Sequence, residues 1–174
     1  QLVSSGNVLA NGVDADNNDE IRTSGNVLIS AAGSVGANGQ RIETSTVATL
    51  AVESGSEQWL RQNNGSLTIG SVAALTPGDN ALTRTAANLS GLVSKSGNSA
   101  IHQDVSAGEL TVDKTVSASG SGDVDLRASA AMRLQSGANV TSQSGNILLS
   151  TGGTFSATDS SQGVQMVSTA GGTL

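Results

Sequence analysis

Seven residues, Ser24-Gly25-Asn26-Val27-Leu28-Ile29-Ser30, return almost unchanged as Ser144-Gly145-Asn146-Ile147-Leu148-Leu149-Ser150. A shorter echo, Ser5-Gly6-Asn7-Val8-Leu9-Ala10, stands near the start of the chain. A Gly-Asn pair running into β-branched and aliphatic residues is a turn that opens a strand. Its recurrence makes it the opening of a coil in a stacked fold. The wider pattern Gly-x-aliphatic-x-aliphatic begins at Gly6, Gly25, Gly65, Gly108, Gly122 and Gly145. The spacing is 19 from Gly6 to Gly25, 40 from Gly25 to Gly65 and, in uneven steps of 14 and 23 through Gly122, 37 from Gly108 to Gly145. One repeat unit of roughly 20 residues, taken once or twice, accounts for all three spacings.

Within a unit the pattern continues. After the strand at Gly25 come Gly33-Ser34-Val35 and Asn38-Gly39-Gln40-Arg41-Ile42, giving three short extended pieces separated by small-residue corners. We therefore expect an all-β chain, a right-handed parallel β-helix with three short strands per coil of about 20 residues. The period of two sends Val27 and Ile29 inward and Asn26, Leu28 and Ser30 outward. A narrow interior of Val, Leu, Ile and Ala has little room for rings, which fits one Trp, one Phe and no Tyr in 174 residues. Gly6, Gly25 and Gly145 are expected to make the corners, with Asn7, Asn26 and Asn146 stacked at one of them, their amides satisfying turn backbone. Residues 71–104 are less regular. Thr76-Pro77-Gly78-Asp79-Asn80 reads as a turn on a protruding loop. Residues 1–174 are expected to form one solenoid segment with an irregular excursion over 71–104.

The Ser-Gly-Asn-(Val/Ile)-Leu-(Ile/Leu)-Ser pieces and the Gly-x-Leu-Thr-(Ile/Val) pieces at Gly65 and Gly108 resemble the coils of filamentous-haemagglutinin-type bacterial surface proteins. The resemblance covers most of the chain, least over 71–104, and brings no catalytic residues. It implies an internal stalk segment of a very large secreted or surface-attached adhesin, mediating attachment to a host or cell-surface glycan or protein and flanked by further repeats of the same polypeptide. Alternatives from other classes are a carbohydrate-active β-helical enzyme and a glycan-binding module.

Composition narrows the chemistry. There are no cysteines, so disulfides and thiolate metal sites are excluded. A net charge of −6 with 8 scattered Lys and Arg gives no basic stripe for nucleic acid. No apolar run approaches the roughly 18 residues that span a bilayer as a helix. Asp14, Asp16 and Asp19 lie in the densest acidic run and offer hard oxygens at spacings calcium accepts, without an EF-hand's central Gly and distal Glu. No other cofactor is expected. Asp123, Asp125 and Arg127 alternate with Val124 and Leu126 and should share the outer face of one strand, where catalysis would need a partner carboxylate from neighbouring coils. The neighbours expected there are Glu109, Thr111 and Asp113 on one side, and Asn146, Leu148 and Ser150 on the other. That set makes no convincing site, and we expect no enzyme. His102, the single histidine, has no second His or Cys for zinc and reads as a surface or loop residue. Trp59 either covers a flank of the solenoid with Leu60 or stacks on a sugar. Leu9, Leu28 and Leu148 point outward by alternation. Leu9 and Leu28 would then form an apolar ladder, open as a lateral interface or covered by the irregular loop. Thr44, Thr46 and Thr49 do not recur at the unit spacing that an ice-binding ladder demands.

Overall fold

The computed structural model describes residues 1–12, 18–75, 87–158 and 165–168, the last as backbone. Asp14, Asp16 and the Pro77 turn lie outside them. The described residues form strands and turns with no helix, stacked as a parallel β-solenoid of about six turns. The coil is about 23 residues long, a little more than the glycine spacings imply. Val124 lies over Ile101 and Ile147 over Val124, steps of 23 residues each. Counting from Gly6 to Gly25 undershoots because it mixes different corners of the coil, whereas Gly122 and Gly145, at one corner, are 23 apart.

One face is a six-stranded sheet of β2 (Ile21–Arg22), β4 (Ile42–Ser45), β6 (Gln58–Asn64), β11 (Ile101–Val105), β14 (Val124–Ala128) and β17 (Ile147–Thr151), all parallel. The other side begins as a single sheet of β1 (Leu2–Ser4), β3 (Asn26–Ala31) and β5 (Thr49–Ser54). At β5 it divides. Thr49 and Leu50 pair with β7 (Leu67–Ile69), whose column continues through β12 (Leu110–Val112), β15 (Met132–Leu134) and β18 (Phe155–Ala157). Val52 to Ser54 pair with β10 (Leu92–Ser94), whose column continues through β13 (Val116–Ala118), β16 (Asn139–Ser142) and β19 (Gln165–Ser168). Three strands per coil therefore hold from β6 onward, whereas earlier coils have two broad sides. Between β7 and β10 an antiparallel hairpin of β8 (Ser71–Val72) and β9 (Leu89–Ser90) leaves the coil. Residues 92–105 are regular coil, so the irregular stretch is shorter than 71–104.

Alternation drives the packing. Val27, Ile29, Leu67, Ile69, Leu110, Val112, Val124 and Leu126 are buried in one continuous core, as the sequence pattern expects. Fully burying each such chain contributes on the order of 1.5–3 kcal/mol. The repeated heptads, however, occupy different faces. Val27 to Ile29 belong to the β1–β3–β5 side, Ile147 to Leu149 to the six-stranded sheet. Val8 bridges to Val35, and Val35 to Gln58, so Asn7 precedes the same column as Asn146 while Asn26 does not. The expected asparagine stack thus does not form. Asn7 Oδ1 accepts from Ser34 N at 2.9 Å, and Asn146 N donates to Asp123 Oδ1 at 2.7 Å. Leu9 and Leu28 also part company. Leu9 is exposed, while Leu28 is 2% exposed and packs with Ala51, Val72 and Leu89 beneath the hairpin.

Candidate functional site

The chemistry-bearing side chains of the described residues concentrate on the outer face of the six-stranded sheet. Parallel pairing in fixed register stacks equivalent positions on successive coils. Trp59, His102, Asp125 and Leu148 form one file, and Arg61, Asp104, Arg127 and Ser150 form the next, with Glu43 beside Arg61. The second file alternates in sign over four coils, which cross-strand pairing favours. Arg61 Nη1 lies 3.4 Å from Glu43 Oε1, and its Nε donates to Asp104 Oδ2 at 3.3 Å. Arg41, from the strand-to-strand turn below, reaches Asp104 Oδ2 at 3.9 Å.

In the first file the imidazole of His102 stacks on the indole of Trp59, ring centres 3.7 Å apart and planes inclined by 14°. Trp59 Nε1 donates to Glu57 Oε2 at 2.8 Å, and His102 Nδ1 is 3.6 Å from Asp125 Oδ2. Arg127 grips both oxygens of Asp125 at 2.8 to 3.1 Å. Burial pushes the Asp125 carboxyl up, but His102 and Arg127 outweigh it and bring it down to about 2. It is a carboxylate at neutral pH and has no proton to give as a general acid. Glu43 goes the other way. Burial raises its pKa, Arg61 opposes that, and Glu20 adds like-charge repulsion. Glu20 Oε2 itself accepts from Glu43 N at 2.7 Å.

Arg41, His102, Gln103, Asp104, Asp125 and Arg127 line a shallow depression of about 10 Å³. That is room for about one water, far below the several hundred Å³ of a typical ligand pocket.

Asp125 and Arg127 share an outer face as expected. Asp123 sits just before the strand, its carboxylate engaged by Asn146 N. On one side the neighbours are those expected, Leu148 and Ser150 pairing with Asp125 and Arg127 and Asn146 reaching Asp123. On the other they are not, because Glu109, Thr111 and Asp113 belong to, or flank, β12 on another face. His102, Asp104, Trp59 and Arg61 take that place, and sequence reasoning missed the grouping. A signal exists: Trp59-x-Arg61, His102-x-Asp104 and Asp125-x-Arg127 are polar pairs two apart, and the three pairs follow one another at spacings of 43 and 23. His102 is a strand residue. Trp59 is half-buried outside the coil while Leu60 lies inside, so the two do not cover a flank together. Of the acidic run, Asp19 is described. Its oxygens accept from Arg22 Nη2 and Asn63 Nδ2, each at 2.9 Å. Burial raises its pKa, and the Arg22 and Asn63 hydrogen bonds prevail to lower it.

Inside the coil three glutamines interrupt the aliphatic core. Gln62 is fully bonded, its Nε2 donating to Val47 O, Gly65 O and Ser66 O and its Oε1 accepting from Thr44 Oγ1. Gln58 Nε2 donates to Ser54 Oγ and Val93 O, and Gln103 Nε2 to Asp104 O. Their Oε1 atoms accept no hydrogen bond among the described residues. Comparison with protein-family models, with curated proteins and with solved structures finds no match to this chain.

Proposed function

We propose that this chain is a rigid presenting segment, a stretch of stalk in a large secreted or cell-surface adhesin of the filamentous-haemagglutinin kind. The observation that carries the reading is the continuity of coil stacking. Parallel ladders link coil to coil on every side, and the outer charges of the six-stranded sheet are spent on each other, Glu43, Arg61 and Asp104 across coils and Asp125 with Arg127 along one strand. Such a stack is quasi-one-dimensional, with each coil held by its neighbours and length set by coil number. Its ladders run along the axis, which suits a rod under load, and its loops are free to carry recognition.

The test uses the source cells. An antibody against this segment should label intact cells, and in-frame removal of the segment should reduce attachment to surfaces or host cells. Labelling only after permeabilisation, with attachment unchanged, would overturn the proposal.

A further inference from the structure

The hairpin between β7 and β10 is set apart by counting. Gln58 and Ile101 are register partners on adjacent coils yet 43 apart in sequence, whereas Ile101 to Val124 and Val124 to Ile147 are 23 each. The surplus matches the length of the stretch 71–90. The ends of that stretch meet, Gly91 N donating to Gly70 O at 2.9 Å. Without it, two residues would join β7 to β10, close to the three between β12 and β13 and the four between β15 and β16. β8 and β9 pair with each other and with no coil strand. They lie over β3 and β5, where Val72 and Leu89 join Leu28 and Ala51 in a cluster separate from the core. Further hydrogen bonds run within the hairpin or to the first coil: Ala74 N to Asn88 Oδ1 at 2.9 Å and Leu75 N to Gln1 Oε1 at 2.8 Å.

We infer that the stretch 71–90, whose described base is residues 71–75 and 87–90, is an insertion in an otherwise regular coil, a mounting point where the rod carries an added element without disturbing its stacking. The base of the insertion seals the apolar patch of Leu28 and Ala51. The inference rests on coil register and holds whatever surface the rod serves.

The test deletes 71–90 and joins Gly70 to Gly91. Because the chain has no cysteine, Leu28→Cys reports on the cover in both backgrounds, with Leu148→Cys as the exposed control. The deletion should keep the β-type circular dichroism spectrum and one cooperative unfolding transition. The Leu28→Cys thiol, slow towards maleimide in the parent, should react at least about tenfold faster in the deletion, since access controls thiol reactivity. Should the deletion precipitate through its bared patch, Leu28→Ser in the same background should restore a folded chain. Loss of fold in both deletions would show the stretch to be integral, and an unreactive Leu28→Cys in a folded deletion would show that the hairpin is not the cover. Either result overturns the inference, and neither depends on an attachment assay.

Discussion

Gln62 and Gln103 both turn inward from the six-stranded sheet and are almost equally hidden from solvent, but their energetics differ. Gln62 spreads its two N–H hydrogens over three carbonyls and accepts from one hydroxyl, so Gln62→Met strands several buried groups and should cost about 2–3 kcal/mol. Gln103 has one donor contact and an unmatched acceptor. Replacing it with the similarly shaped Met should be neutral or stabilising by up to about 1 kcal/mol. Urea midpoints of the two variants measure both. Asp125 sets a pH limit of its own. Its folded pKa of about 2 lies below the ordinary 3.8, so its contribution is present above pH 4 and lost as pH falls towards 2. Asp125→Asn should therefore flatten the loss of stability between pH 4 and 2 in urea titrations. Glu43 has the opposite sign. Its raised pKa favours the protonated folded form, so its contribution is full in acid and lost as pH rises through the folded value.

Two nearly identical heptads opening strands on different sides of one solenoid show what a local pattern encodes. Gly-Asn followed by alternating aliphatics specifies a corner and a strand, and each coil has more than one corner. The inward residues Val27, Ile29, Val124 and Leu126 were legible because alternation needs only the strand. The coil length, the asparagine stack and the composition of the outer face were not, since these need each corner assigned to its column. Counting across the hairpin insertion obscured the register that aligns Trp59 and Arg61 with His102 and Asp104, and these with Asp125 and Arg127. The same ambiguity yields a prediction. A Cβ on Gly145 would run into the Gly122 carbonyl oxygen of the coil below, whereas one on Gly25 would meet only Thr23 Oγ1 at 3.4 Å. Gly145→Ala should cost about 2 kcal/mol or more through the forced shift of packed backbone. Gly25→Ala should be neutral or stabilise by about 0.5 kcal/mol through the unfolded chain. Equal losses from the two would mean that the corners are equivalent after all.

A solenoid with a coil of about 23 residues should tolerate losing one coil and no fraction of one. Removing 124–146 joins Asp123 to Ile147 and sets Ile147 over Ile101, in phase. This variant should fold, with the denaturant m-value reduced in proportion to the surface lost and the rod shorter by about 4.8 Å in small-angle scattering. Removing only 124–135 puts corners under strands and should not fold. A second in-phase deletion, 101–123, brings β14 directly onto β6, and there the charges decide. Arg127 then stands opposite Arg61, where Asp104 stood before. Like charges directly opposite on neighbouring strands destabilise by about 0.2–1 kcal/mol, and the Asp104 pairs of Arg61 and Arg41 are lost as well. The 101–123 deletion should therefore be the less stable of the two in-phase variants. Adding Arg127→Asp to it restores a carboxylate above Arg61 and should recover part of the difference, while the same substitution in the full-length chain should destabilise. A rescue confined to the deletion would establish that alternating charge on the outer file helps choose which coil follows which. If Arg127→Asp acted alike in both backgrounds, coil order would rest on the aliphatic interior alone.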